Sequence, residues 1–121
     1  HSCVNTPAQY GAIAALDGPE NHLKDMMKEF GIRRKLISDG LKSLKGVECS
    51  LPGGSFFVFP NVAKTGMTGE EFTEKCLKEA GVAIIPGTAF GRNATHNVRF
   101  NFATSRENIS KAIEKIDKIL K

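Results

Sequence analysis

The sequence predicts an α/β (α+β) domain, a small and mostly antiparallel sheet of about four strands covered on one face by helices. Three observations carry this. Val98, Phe100 and Phe102 alternate with Arg99 and Asn101, the period of a strand with one buried face. Leu23, Met26, Met27, Phe30, Ile37, Leu41 and Leu44 recur at helical spacing, and so do Ile109, Ala112, Ile113, Ile116, Ile119 and Leu120. Short apolar runs bounded by Pro and Gly lie between these two segments. At 121 residues the chain is one domain, 1–121, with enough length for a single core.

Taken in order, Thr6 and Pro7 read as an N-cap followed by proline in the first turn. An Ala-rich helix over 8–16 stops at Asp17-Gly18-Pro19. Its small residues fit no core elsewhere in the chain, so residues 1–18 are expected to pack on a surface that this chain lacks. The long helix over about 21–44 carries Gly31 and Gly40, which mark a break or a close contact. Residues 47–51 and 55–59, joined by Pro52-Gly53-Gly54, read as two strands and a turn, ended by Pro60. Strand parity puts Phe57 and Phe59 on one face and Phe56 and Val58 on the other, and all are expected to be buried.

Thr68 and Glu71 form a capping box for a helix with Phe72, Cys76, Leu77 and Ala80 inward and Gly81 at its end. Residues 82–85 form a short buried strand stopped by Pro86-Gly87. After a polar loop comes the strand 98–102. Thr104 and Glu107 then read as a second capping box, which opens the last helix.

Composition excludes several classes. Apolar residues make up 40% and charged residues 25%, and no apolar run approaches the ~20 residues of a membrane-spanning helix. No signal-peptide pattern stands at the start. The net charge of +4 comes from lysines scattered among acids, which describes a solvated surface and not a nucleic-acid stripe. Cys3, Cys49 and Cys76 are odd in number and far apart, so neither a disulfide framework nor a zinc site is expected, and a reducing, cytoplasmic setting fits. The chain begins with His, as a cut or processed piece of a longer protein would.

The candidate functional residues lie late in the chain. The pleat sends Arg99 and Asn101 together to the face away from the core. A guanidinium on a rigid strand beside an amide is suited to gripping a carboxylate through two parallel hydrogen bonds. The alternative for Arg99 is an ordinary solvated strand residue. The loop Pro86-Gly87-Thr88-Ala89-Phe90-Gly91 has the glycines to approach a ligand closely, or is a loop anchored by Phe90, so Gly87 and Phe90 are candidate cleft-lining residues with Asn101. Arg33 and Arg34 fall at the edge of the long helix's apolar stripe, where snorkelling or pairing with acids is expected. His1, His22 and His96 are dispersed, and no catalytic residue or metal site is assigned.

Six blocks in order then carry a resemblance: Asn5-Thr6-Pro7-Ala8-Gln9-Tyr10, Arg33-Arg34, Pro52-Gly53-Gly54-Ser55-Phe56-Phe57, Glu79-Ala80-Gly81-Val82, Pro86-Gly87-Thr88-Ala89-Phe90-Gly91, and Val98-Arg99-Phe100-Asn101-Phe102-Ala103. Together they span nearly the whole chain. The chain resembles the C-terminal small domain of fold-type I, class I/II pyridoxal-phosphate-dependent aminotransferases, the group that includes many aspartate aminotransferases. The resemblance implies that Arg99 holds the substrate's α-carboxylate and that residues 86–91 border the same cleft. It further implies a homodimeric parent that moves an amino group from an amino acid to a 2-oxo acid on pyridoxal phosphate.

In that family the Schiff-base lysine and the cofactor residues lie upstream, in a large domain that is missing here. No lysine of this chain stands in the family's S-x-[ST]-K setting. The expectation is therefore a fragment that neither binds the cofactor nor transaminates alone. The competing expectation is a free-standing basic α/β module, of pI near 9.1, for nucleic acid or a protein partner.

Overall fold

The computed structural model describes residues 3–121. Asn5 holds extended backbone angles, and its side chain accepts the N–H of Ala8 at 2.8 Å. It therefore caps α1 (Thr6–Asp17) in place of Thr6, and proline moves one position further into the first turn. α1 buries none of its side chains, and Tyr10, Ile13 and Leu16 all stand exposed.

Helix α2 (Asn21–Ser43) runs unbroken through both glycines. Gly40 is a close contact: a Cβ there would stand 2.9 Å from Cγ1 of Ile113 on α4 (Arg106–Ile119). The apolar stripe of α2 is buried only in its C-terminal half, where Ile37, Ser38 and Leu41 are covered. Leu23, Met26 and Met27 stay exposed: among the described residues the first two turns are not packed into the core, and Met26 and Met27 only border an open cavity shared with Phe56 and Phe102.

Three short strands form one antiparallel sheet in the order β1 (Phe57–Val58), β3 (Val98–Asn101), β2 (Ile85–Pro86). The register pairs Phe57 with Asn101 and Val58 with Phe100 on one side of β3, and Ile85 with Arg99 and Pro86 with Val98 on the other. The expected hairpin between 47–51 and 55–59 does not form. Residues 47–51 are reduced to a single bridge from Glu48 to Asn61, with both N–H···O distances 2.8 Å, so the fourth strand is lost. The turn between them is directed at α2 instead. Arg34 Nη1 donates to the Pro52 carbonyl at 3.2 Å, and Ser55 takes a left-handed φ of 65°. The strand expected at 82–85 shifts to Ile85–Pro86, and Pro86 is tolerated because β2 is an edge.

Helix α3 (Gly69–Lys75) starts on the expected box, with Thr68 Oγ1 accepting the Glu71 N–H while the Glu71 carboxylate accepts the Thr68 N–H. The helix widens to a π turn at Cys76–Ala80 and ends on left-handed Gly81. That change of pitch takes Leu77 off the buried stripe, contrary to expectation. α4 is capped by Ser105, whose side chain accepts the Asn108 N–H at 3.2 Å; the Thr104/Glu107 box does not form.

The core lies between one face of the sheet and α2, α3 and α4. Leu41, Val58, Phe72, Cys76, Val98, Phe100, Phe102, Ile109 and Ile116 form one cluster. Phe72 and Phe102 are almost wholly buried, and removing each from water is worth about 1.5–3 kcal/mol. Among the described residues no helix covers the other face of the sheet, and on it the candidate site is found.

Candidate carboxylate-binding site

Strand β3 is central, so its ladder fixes which side chains share the open face. Residues directly opposite one another point the same way, which gathers Phe57, Ile85, Arg99 and Asn101 on the side away from the core. Phe90 joins them from the 3-10 turn Gly87–Phe90 that follows β2. Cζ of Arg99 lies 4.3 Å from the Phe57 ring centroid and 4.6 Å from that of Phe90. Phe59 meets Phe90 edge to face, with centroids 6.0 Å apart and planes at 81°.

Arg99 is half-buried. None of the ion pairs among the described residues involves it. Its charge is flanked by aromatic faces and not neutralised by an acid, so an external carboxylate has donors to meet. The guanidinium sits over the faces of both rings, and a ring face is a weak acceptor that leaves its N–H donors without a charged partner.

The phenylalanines of 56–59 depart from their expected burial. Phe56 is 42% and Phe59 44% exposed, Phe57 is half-buried, and only Val58 reaches the core. The expected parity holds for Phe57 and Val58 within β1 but not for Phe56, which precedes the strand and sets its ring against that of Phe57 with centroids 4.4 Å apart. The face carrying Phe57 and Phe59 has no covering layer among the described residues. Sequence reasoning missed Phe57 as a site residue for that reason; its register opposite Asn101 is visible only once β1 is paired with β3.

Asn101 is exposed on the site face, where its Oδ1 accepts the Ala103 N–H at 2.7 Å, leaving the amide NH₂ as its donor end. Phe90 is 51% exposed at the rim. Gly87 is not at the cleft surface. It is buried, its N–H donates to the Asn97 carbonyl at 2.7 Å, and a Cβ there would stand 2.4 Å from the Ala94 oxygen. The close approach that its glycine permits is to the chain's own backbone, not to a ligand. Thr88 Oγ1 donates to Glu70 at 2.8 Å, tying the turn that bears Phe90 to α3.

The other charged candidates are structural. Glu29 accepts from Arg33 Nε at 2.7 Å and is also bonded by Arg106 of α4; these guanidiniums hold its carboxyl down at about 2. Arg34 borders a cavity of about 440 Å³ walled by Met26, Met27, Phe30, Phe56 and Phe102. Burial pushes the Cys76 thiol up to about 12, as befits a core residue. Among the described residues, no cluster of three or more His, Cys, Asp or Glu could hold a metal, and no helix is long and apolar enough to cross a membrane. Lys24, Lys28, Lys35, Lys64, Lys75, Lys78, Lys111 and Lys121 pair with acids, so they offer no basic stripe to a phosphate backbone.

The family described as aminotransferase class I and II matches residues 1–116. This chain belongs to the class I and II aminotransferases. The aspartate aminotransferase of Pyrococcus horikoshii is 42% identical over 114 residues, covering 93% of this chain and 29% of that protein. The probable aspartate aminotransferase of Methanocaldococcus jannaschii is 43% identical over 118 residues, covering 98% and 30%. In three dimensions the alanine aminotransferase from Pyrococcus furiosus superposes with a TM-score of 0.92 at 33% identity, over 98% of this chain and 30% of that one. The chain thus spans about 30% of the length of the curated aminotransferases it matches, and nothing in the fold or the comparisons supports a nucleic-acid module.

Proposed function

We propose that this chain is the small domain that binds the substrate's α-carboxylate in a pyridoxal-phosphate-dependent aminotransferase, with Arg99 as the binding residue. The observation that carries the reading is the guanidinium on the uncovered face of β3, flanked by Phe57 and Phe90 and without an acid partner among the described residues. Family membership supplies the reaction class, transfer of an amino group between an amino acid and a 2-oxo acid. Asn101 lies beside Arg99 on the same face and contributes its amide, and Phe90 lines the rim. Aspartate is the first substrate to try, because aspartate aminotransferases stand among the similar proteins.

Pyridoxal phosphate, bound in such an enzyme, supplies an electron sink that stabilises charge at the substrate's Cα. The residues of this chain do not fit that cofactor. No lysine lines the cavity beside Phe56 and Phe102, and Lys28 and Lys35, which border a shallow groove on α2, are paired with Asp25 and Asp39. In the cleft at the end of α4, Lys64, Lys75 and Lys121 are paired with Glu48, Glu79 and Asp117. Among the described residues this leaves only Lys45 there, on an open rim with no aromatic or anion-binding group beside it. The cofactor's amine partner therefore belongs to a large domain outside these 121 residues. α1, which buries nothing in this chain, packs on that domain, and the whole enzyme is a cytoplasmic homodimer. The role left to this chain is to grip and orient the carboxylate.

In the full-length protein carrying this chain, Arg99→Ala removes a charged, two-pronged contact worth about 1.5–3 kcal/mol. The KM for the amino acid should rise about 10- to 150-fold, since ~1.4 kcal/mol is tenfold. Arg99→Lys, which keeps the charge and loses the fork, should fall between the two. Steady-state kinetics give the answer, and an unchanged KM in Arg99→Ala overturns the assignment.

A further inference from the structure

We infer that Phe57 and Phe90 are positioning residues that hold the Arg99 fork ready for a carboxylate. The inference deepens the carboxylate-binding reading and rests on it. An arginine side chain is long and rotamer-rich, and on an uncovered sheet face it would sample many orientations. An acidic neighbour could restrain it, but would occupy the same N–H donors and cancel the charge that the substrate needs. Aromatic faces restrain it without either cost, because a ring attracts the cation through its quadrupole and carries no charge that would cancel it.

Both rings are themselves held. Phe57 is fixed by the β1–β3 ladder opposite Asn101, and the neighbouring Phe102 N–H donates to the Phe56 carbonyl at 2.9 Å. Phe90 is braced by the edge-to-face contact with Phe59 and by the Thr88–Glu70 hydrogen bond of its turn. The two rings come from segments 33 residues apart in sequence and meet on one side chain, so the arrangement is tertiary and not local.

The test uses the full-length protein, with Phe57→Leu, Phe57→Tyr, Phe90→Leu and Phe90→Tyr made both alone and in the Arg99→Ala background. Each leucine variant should raise the KM for the amino acid, and the inhibition constant of propionate, about fivefold with kcat little changed. The tyrosine variants, which keep a ring face, should restore both constants. In the Arg99→Ala background none of the four should have a further effect, because the rings act through the guanidinium. Leucine variants that leave both constants unchanged while Arg99→Ala raises KM would overturn the positioning role and leave the carboxylate site standing. A fall in kcat that is the same in both backgrounds would also overturn it, as a purely structural effect. If Arg99→Ala is itself without effect, the carboxylate reading fails first. Should Phe57→Leu not fold, Phe90→Leu, at an exposed turn, decides the matter alone.

Discussion

A methyl group added at position 87 would sit 2.4 Å from the Ala94 oxygen and 2.6 Å from that of Asn97. Neither atom is a flexible side chain, so the turn bearing Phe90 must shift to admit it. Gly87→Ala is therefore expected to destabilise the chain by about 1–3 kcal/mol, while Gly53→Ala, with open space around its Cβ, should be nearly neutral. Urea titration of the two variants checks this, and equal midpoints would remove the steric account. At this scale the sequence was legible where a period sufficed. Arg99 and Asn101 point away from the core because Val98, Phe100 and Phe102 point into it. It was not legible at Phe57, where the alternation gave the parity but not which face another layer would cover.

Elements show the same division. The start of α4 offers two overlapping caps, Thr104 with Glu107 and Ser105 with Asn108, and local pattern ranks the first higher. The structure uses Ser105, while Thr104 Oγ1 only receives the Asn108 side-chain amide at 3.0 Å. Ser105→Ala should cost about 1 kcal/mol of stability and Thr104→Ala roughly half of that or less, read from thermal melts of both variants. The reverse order would restore the box. The lost hairpin has a comparable cause. Residues 47–51 and 55–59 both suit a strand, but β1 finds its partner in β3, whose Phe100 stands opposite Val58, and the intervening turn is bonded to Arg34. A partner far along the chain outcompeted the neighbour in sequence.

Across the whole molecule, Glu29 joins α2 to α4 through Arg33 and Arg106. Its carboxyl titrates at about 2 in the folded chain, against 4.5 for an unpaired glutamate. A lowered folded value means that its contribution is complete above pH 4.5 and disappears as pH falls toward 2. Asp39 and Glu71 are lowered as well, by Lys35 and by the Thr68 N–H, so acid weakens the fold at several points. The difference between the native chain and Glu29→Gln isolates one of them. It should be constant above pH 5 and shrink between pH 4.5 and 2, measured as melting temperature against pH. A difference that does not change over that window would show that the link between the two helices is energetically idle.

The sequence by itself determined the class of fold, the inward stripe of α4, the capping box of α3 and the outward aim of Arg99, because each depends on a backbone period or on residues within one turn of one another. Only the tertiary structure decided that Phe57 and Phe90 flank that arginine, that Gly87 lies beneath the rim, and that the first two turns of α2 and all of α1 stand exposed. Those facts depend on strand register and on which surfaces find a partner, and both are settled by contacts between segments that the chain order holds apart.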